Sequence, residues 1–388
     1  MTALARAAAI YLALWTTAAA AFAATGALAQ GREARPMVEW VIPALPTNTP
    51  QTPQQAEDAR KAGRELPPPE ILQPTLDPAL PAYQARKEKL SGTFKGGASD
   101  VLVVLVQKWL EKFKARQPGV KLSISPPYAG SLGAAELAKE NLDFVFVSRE
   151  LRPEDVHAFQ TRFSYEPLSV PVCGGSYRHF GALDAIAFFV NKDNPLEKLT
   201  FEQIDAIYSS TRHRGGKPIA KWGDLGLGGE WADKPIKAYG IKPWNGFEEF
   251  VRQRVLSKEG KRGEWRDDVT FEKVVFPMAK HVADDRYGIA YTGLAYLDQG
   301  VRVLPLVANA GDALQAPTYE NVALASYPLS RLVYFNVNKV PGKPLPPGLE
   351  EFLRFVLSRE GQQVVLEHAS YLPLRASQVS SSRALLGK

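Results

Sequence analysis

Two stretches of this chain nearly repeat each other: Phe188-Phe189-Val190-Asn191-Lys192 and, far downstream, Phe335-Asn336-Val337-Asn338-Lys339. Each closes an apolar, β-prone run (Ala185 to Val190 and Leu332 to Val337), and each meets a proline soon afterwards, at Pro195 and Pro341. Matching strand ends so far apart are expected of a chain that crosses from one lobe into another and later returns. Two such crossings leave a cleft between lobes, where a small ligand is held by closure rather than by covalent chemistry.

The first 29 residues read as an export signal. Arg6 precedes an apolar stretch from Ala7 to Ala24, and Ala27-Leu28-Ala29 supplies a small-residue cleavage site before Gln30. That apolar run is at the short end for spanning a bilayer and is rich in alanine, so a retained anchor is the weaker reading. No cysteine follows the cleavage site, which argues against a lipid anchor. The mature chain is expected to be soluble, periplasmic and monomeric.

Removing residues 1–29 takes away one charged residue, Arg6, and lowers the formal net charge from +6 to +5. A mild excess of this kind suits an anionic ligand. Lys and Arg are spread along the chain without a block, so no nucleic-acid partner is expected. The lone cysteine, Cys173, lies beside Val170, Pro171 and Val172 and reads as a small core residue. The five histidines show no HExxH spacing, so neither a metal nor a cofactor is expected. Ala129-Gly130-Ser131-Leu132-Gly133 misses a nucleophile elbow at Ala129, and no histidine stands in a catalytic context. Ser131 is therefore read as a helix cap or ligand contact, and the chain as a non-enzyme without catalytic residues.

Prolines recur from Pro36 to Pro81 among Thr, Gln and Glu, which leaves little apolar surface to offset ordering entropy. Residues 30–89 are accordingly read as an extended segment without a fixed fold. Beyond Leu90 the pattern alternates. A helix is predicted over about 100–115, capped by Ser99 or Asp100, followed by a strand from Val120 to Ser125. Ser131 opens a second helix, and Asp143 to Val147 is a short buried strand. Thr200 caps a helix to Tyr208, Ile236 to Gly240 is a strand, and Asn245 opens a further helix. This alternation predicts α/β lobes.

From about Thr93 to Leu374 the chain resembles the phosphate-binding proteins of bacterial phosphate ABC importers, in a divergent branch of the type II periplasmic-binding fold. The resemblance rests on Ser99-Asp100, Ser148-Arg149, Val190-Asn191-Lys192-Asp193-Asn194-Pro195 and Ser209-Ser210-Thr211-Arg212. It continues through Trp222-Gly223-Asp224-Leu225-Gly226-Leu227, Asp285-Arg286-Tyr287-Gly288-Ile289, Pro341-Gly342-Lys343-Pro344-Leu345 and Tyr371-Leu372-Pro373-Leu374. What it implies is a two-lobed α/β fold with an inter-lobe cleft. The first lobe would be discontinuous (90–187 and 338–376), the second would span 188–337 with the crossing strands, and 377–388 would be a C-terminal tail. It further implies capture of phosphate or a related small anion for an inner-membrane ABC permease. The competing reading keeps the fold as an envelope interaction or sensing module whose cleft no longer binds phosphate.

In such proteins the oxyanion is held by helix N-termini, adjacent hydroxyls and an arginine. Carried over residue by residue, the ligand set would be Ser99, Asp100, Ser131, Ser148, Arg149, Lys242, Asn245 and Gly246. The chain departs from the pattern in each of these elements, and Leu132 stands where relatives often carry a second hydroxyl. Val101 stands where relatives carry a threonine, and Ile241 aligns with the family arginine. A Ser-Gly-Thr helix start is replaced by Asn245-Gly246-Phe247, with Glu248 and Glu249 in the same turn. Two carboxylates there are expected to compete with an anion for the positive helix end. Lys242 is a flexible ammonium rather than a bidentate fork. Either Lys242 and the hydroxyls rebuild the site, or phosphate binding is weak.

Overall fold

The computed structural model describes residues 75–387, apart from 129–131, 178–182, 244, 298–299 and 369. The export signal at 1–29, the proline-rich stretch up to 74 and Ser131 lie outside the described residues.

Twelve strands are present among the described residues. The first six are β1 (Gly92–Ser99), β2 (Val120–Tyr128), β3 (Phe144–Val147), β4 (Leu168–Gly174), β5 (Ile186–Asn191) and β6 (Leu199–Thr200). The others are β7 (Lys237–Ile241), β8 (Thr270–Glu272), β9 (Gly288–Gly293), β10 (Val301–Val303), β11 (Leu306–Val307) and β12 (Leu332–Val337). They form two five-stranded sheets, ordered β2-β1-β3-β12-β4 and β10-β5-β9-β7-β8, and a small β11-β6 pair. β3 and β5 are buried at every position, which is why both read as unbroken apolar runs.

The echoed stretches fall one in each sheet, β5 in the second and β12 in the first. Each follows directly on a crossing, and the crossings lie side by side. Gly175 N donates to the Arg331 carbonyl (2.7 Å), Ile186 N to that of Leu329 (3.2 Å), and the Tyr327 hydroxyl to that of Ile186 (2.9 Å). Gly175 has no room for a side chain: a Cβ there would stand 2.3 Å from the Leu183 carbonyl oxygen and 3.1 Å from Arg331 Cβ.

Three expected boundaries change. The second lobe does not extend through residue 337 as the resemblance implies, because β12 runs antiparallel between β3 and β4 and so completes the first sheet. Residues 377–388 are not a loose tail: helix Ala376–Ala384 buries Val379, and the Ser382 hydroxyl donates to the Pro171 carbonyl (2.7 Å). The described end of the proline-rich segment, 75–89, docks on helix Pro347–Val356. Tyr83 packs edge-on against Phe355 at 5.3 Å and donates its hydroxyl to Glu351 (2.8 Å). Arg86 pairs with Glu350 (2.5 Å) and Glu351 (3.2 Å). The docking is dictated by Glu351, a fully buried carboxylate that needs cations and donors around it.

Each sheet has its own aromatic core. In the first lobe Phe144 stacks on Phe335 at 5.6 Å and Phe146 on Trp109 at 5.6 Å. Trp109 lies on helix Val103–Lys114 and donates its indole N–H to the Gly361 carbonyl (2.8 Å). In the second lobe Trp265 stacks on Tyr291 at 5.8 Å. Tyr208 donates its hydroxyl to the Ile289 carbonyl (3.0 Å), so its own polar tip is paired inside the core. Cys173 is fully buried in β4, and burial pushes its thiol pKa up.

Replacing Tyr83 by Phe and Arg86 by Ala together removes the hydroxyl and the nearer guanidinium from Glu351, leaving the backbone N–H of residue 86 and Arg354. The expected loss is about 2–4 kcal/mol in urea unfolding of the mature chain. An unchanged midpoint would mean that residues 75–89 only rest on the surface.

Candidate functional site

Two of the first lobe's expected elements fall among the described residues, each following a strand of the first sheet. Ser99 ends β1, is buried, and precedes a 3-10 turn, Asp100–Leu102; the expected cap at Ser99 or Asp100 does not form, because this turn intervenes and the helix, Val103–Lys114, starts behind Leu102 with no side-chain cap bond. Asp100 is exposed in that first turn. Tyr371 reaches across from the C-terminal part of the lobe and donates its hydroxyl to the Val101 carbonyl (2.7 Å), fixing the turn in place. Ser148 and Arg149 follow β3 and are both buried. The apolar replacements are in view: Val101 is 39% and Leu132 61% exposed.

Arg149 is engaged with protein. Its Nη1 donates to the Glu150 carbonyl (2.6 Å) and to Gln253 Oε1 (3.3 Å), and its Nη2 lies 3.7 Å from Asp155. Burial pulls its pKa down to about 10, with Asp155 acting in the opposite direction. Gln253 belongs to the second lobe and returns a hydrogen bond to the Leu151 carbonyl (2.8 Å). Beside it, Arg254 pairs with Glu150 (3.2 Å) and Arg262 with Glu154 (3.4 Å). Residues 149–154 and 253–262 thus form a polar seam joining one rim of the cleft.

The second lobe carries the altered element. Ile241 is fully buried at the end of β7, its N–H donating to the Tyr291 hydroxyl (3.2 Å). Lys242 is exposed, and Gly246 has open space where a side chain would be. Asn245 caps helix Gly246–Val251, its Oδ1 accepting from Phe247 N (2.9 Å). The two carboxylates of that turn are spoken for. Glu248 accepts from Arg252 Nε and Trp265 Nε1, both at 2.7 Å. Glu249 takes a fork from Arg262 at 3.0 and 3.1 Å. Burial alone would raise the Glu249 pKa, but the hydrogen bonds and charge of Arg262 outweigh it, and the net shift is downward. The expected competition between these carboxylates and an anion at the helix end is thereby removed.

Sequence reasoning missed Arg331. It sits on the return crossing just before β12, is 6% exposed, and lies over the rings of Phe247 (5.7 Å) and Phe250 (5.2 Å). The signal was a lone arginine, in Ser330-Arg331-Leu332, flush against an apolar strand where nothing structural asks for charge. Among the described residues no group of His, Cys, Asp and Glu is arranged to hold a metal, and no helix is long and apolar enough to cross a membrane.

A profile of the PBP superfamily domain matches residues 84–360. The phosphate-binding protein PstS of Pseudomonas aeruginosa is 36% identical over 314 residues, 80% of this chain and 92% of that protein. The chain belongs to the PBP superfamily, in the family of PstS. Protein SphX of Synechococcus elongatus is a more distant relative of this PBP chain, 23% identical over 301 residues, 76% of this chain and 81% of that protein. The crystal structure of PstS from Borrelia burgdorferi shares the fold, with a TM-score of 0.51 at 16% identity over 74% of this chain and all of that one. These matches span both lobes, which makes the two-lobed α/β PBP fold a property of the whole described region.

The rim and the helix turn separate in a simple comparison. Arg262→Ala strands the buried Glu249 carboxylate and is expected to cost about 2–4 kcal/mol in urea unfolding. Glu154→Gln removes an exposed cross-cleft pair and should cost under about 1 kcal/mol. The Glu249 contribution is present above its ordinary pKa of 4.5 and is lost as pH falls through the lower folded value, so Glu249→Gln should flatten the acid limb of the stability profile. Equal costs for the two variants would contradict this division of labour.

Proposed function

We propose that this chain is a periplasmic solute-binding protein that captures inorganic phosphate in its inter-lobe cleft and delivers it to an inner-membrane ABC permease, without catalysis. The observation that carries the reading is 36% identity across 92% of a protein named for phosphate binding. Its support in the geometry is a cleft crossed twice by the chain, with buried Ser99 and Ser148 at the ends of first-lobe strands and an open helix start at Asn245-Gly246 opposite. Serine hydroxyls and free N–H groups donate to phosphate oxygens. Ser131 would add another donor, and Lys242 a point charge at the mouth. Asp100, as a carboxylate, can accept a hydrogen bond from the P–OH of a protonated phosphate, a donor that sulfate lacks near neutral pH. Arg149, committed to Asp155 and Gln253, serves the rim more than the ligand. Periplasmic residence follows from the export signal read in residues 1–29.

Isothermal titration of the mature chain, unfolded and refolded to strip bound ligand, tests this reading. Phosphate should bind with micromolar or tighter affinity and raise the melting temperature as mass action requires, while sulfate should not. No heat and no stabilisation with phosphate would overturn it.

A further inference from the structure

A buried arginine is ordinarily paired, because an uncompensated charge in a low-dielectric setting is costly. Arg331 departs from that rule. Among the described residues it enters no hydrogen bond through its side chain and no ion pair, and its Nε is a buried donor without a partner. Burial pulls its pKa down, and the more distant Asp184, Tyr371 and Glu150 act in the opposite direction without closing a contact. Its backbone is fixed by the carbonyl that accepts from Gly175 N, where the two crossings meet.

The surroundings place this guanidinium between the two halves of the cleft. On one side are Phe247 and Phe250, from the helix that Asn245 caps. From the first lobe comes Tyr371: its neighbour Leu372 donates to the Gly175 carbonyl (3.0 Å) beside the Arg331 backbone, and its hydroxyl holds the Val101 carbonyl in the turn after Ser99. Aromatic faces stabilise a cation and orient its plane, but they satisfy none of its N–H donors. A planar set of unused donors, held rigid where a first-lobe turn meets a second-lobe helix, is complementary to a tetrahedral oxyanion.

We propose that Arg331 is the arginine that holds the oxyanion, supplying from the return crossing the guanidinium that is missing where Ile241 stands. The inference rests on the phosphate reading above and names the residue that gives that site its fork. It also explains a departure in the sequence: with the cation relocated to the hinge, position 241 is free to be an apolar core residue. Since the guanidinium is flanked by both lobes, an anion bound to it is bracketed only when they are closed, so the same contact couples binding to closure.

The test is titration of inorganic phosphate into refolded wild type, Arg331→Met and Arg331→Lys, with ligand-free melting curves for each. Wild type should bind, Arg331→Met should bind roughly 10- to 100-fold more weakly, and Arg331→Lys should recover part of the loss. The ligand-free melting temperature of Arg331→Met should equal or exceed that of wild type, since an unpaired buried charge has been removed. Should Arg331→Met fail to fold, Arg331→Lys carries the comparison, with a loss of at least several-fold expected. If wild type binds phosphate and both variants bind equally well, the assignment of Arg331 is overturned while the phosphate reading stands. A ligand-free melting temperature lowered by many degrees in Arg331→Met, with unchanged phosphate affinity, would make Arg331 a structural residue and overturn it too. If wild type binds none of phosphate, arsenate and sulfate, the phosphate reading falls and takes this assignment with it.

Discussion

The architecture depends on the place where the chain crosses between lobes twice and the two crossings hydrogen-bond to each other. Gly175 and Ile186 on the outward passage donate to Arg331 and Leu329 on the return, so the lobes are tied at one line. Everything that faces the cleft is positioned from that line. β5 and β12 start directly beyond it and become interior strands of opposite sheets. The steric demand at Gly175, which leaves no space for a Cβ, is the local consequence of bringing the crossings so close.

Around this hinge the charges are arranged in two ways. At the rim, arginines and carboxylates neutralise one another across the lobes: Arg254 with Glu150 and Arg262 with Glu154. Such pairs, partly solvated, fix register more than they add stability. At the hinge the pattern reverses, and Arg331 is buried against the rings of Phe247 and Phe250 with no acceptor for its Nε among the described residues. The contrast is what singles out the hinge as the place for an anionic ligand. The rim can hold lobes together without a ligand; the hinge has a need that a ligand would meet.

Much of the fold was legible in the sequence because it rests on local signals. The Thr200 cap formed as expected, with Gln203 completing the box, and so did the Asn245 cap. The short apolar runs at β3 and β5 became buried strands. What misled was contact at long range. Nothing local in Leu332–Val337 says that it returns to the first sheet, and nothing in Tyr83 or Arg86 says that they dock on Glu351 some 270 residues away. At the site, capping chemistry locates the helix start at Asn245 but not the one after Ser99, and Glu248 and Glu249 mislead because their partners Arg252, Trp265 and Arg262 lie downstream and fold back onto them. Arg331 has no helix start beside it to mark it, because its setting is made by packing at long range.

The most direct test of the account is a crystal structure of the mature chain grown with inorganic phosphate and no sulfate. The account predicts tetrahedral density within hydrogen-bonding distance of the Arg331 guanidinium and of the Ser99 and Ser148 hydroxyls, with Phe247 and Phe250 still against the arginine. Density at another site, or an Arg331 side chain turned onto Asp184 or Glu150 with the cleft empty of anion, would contradict it.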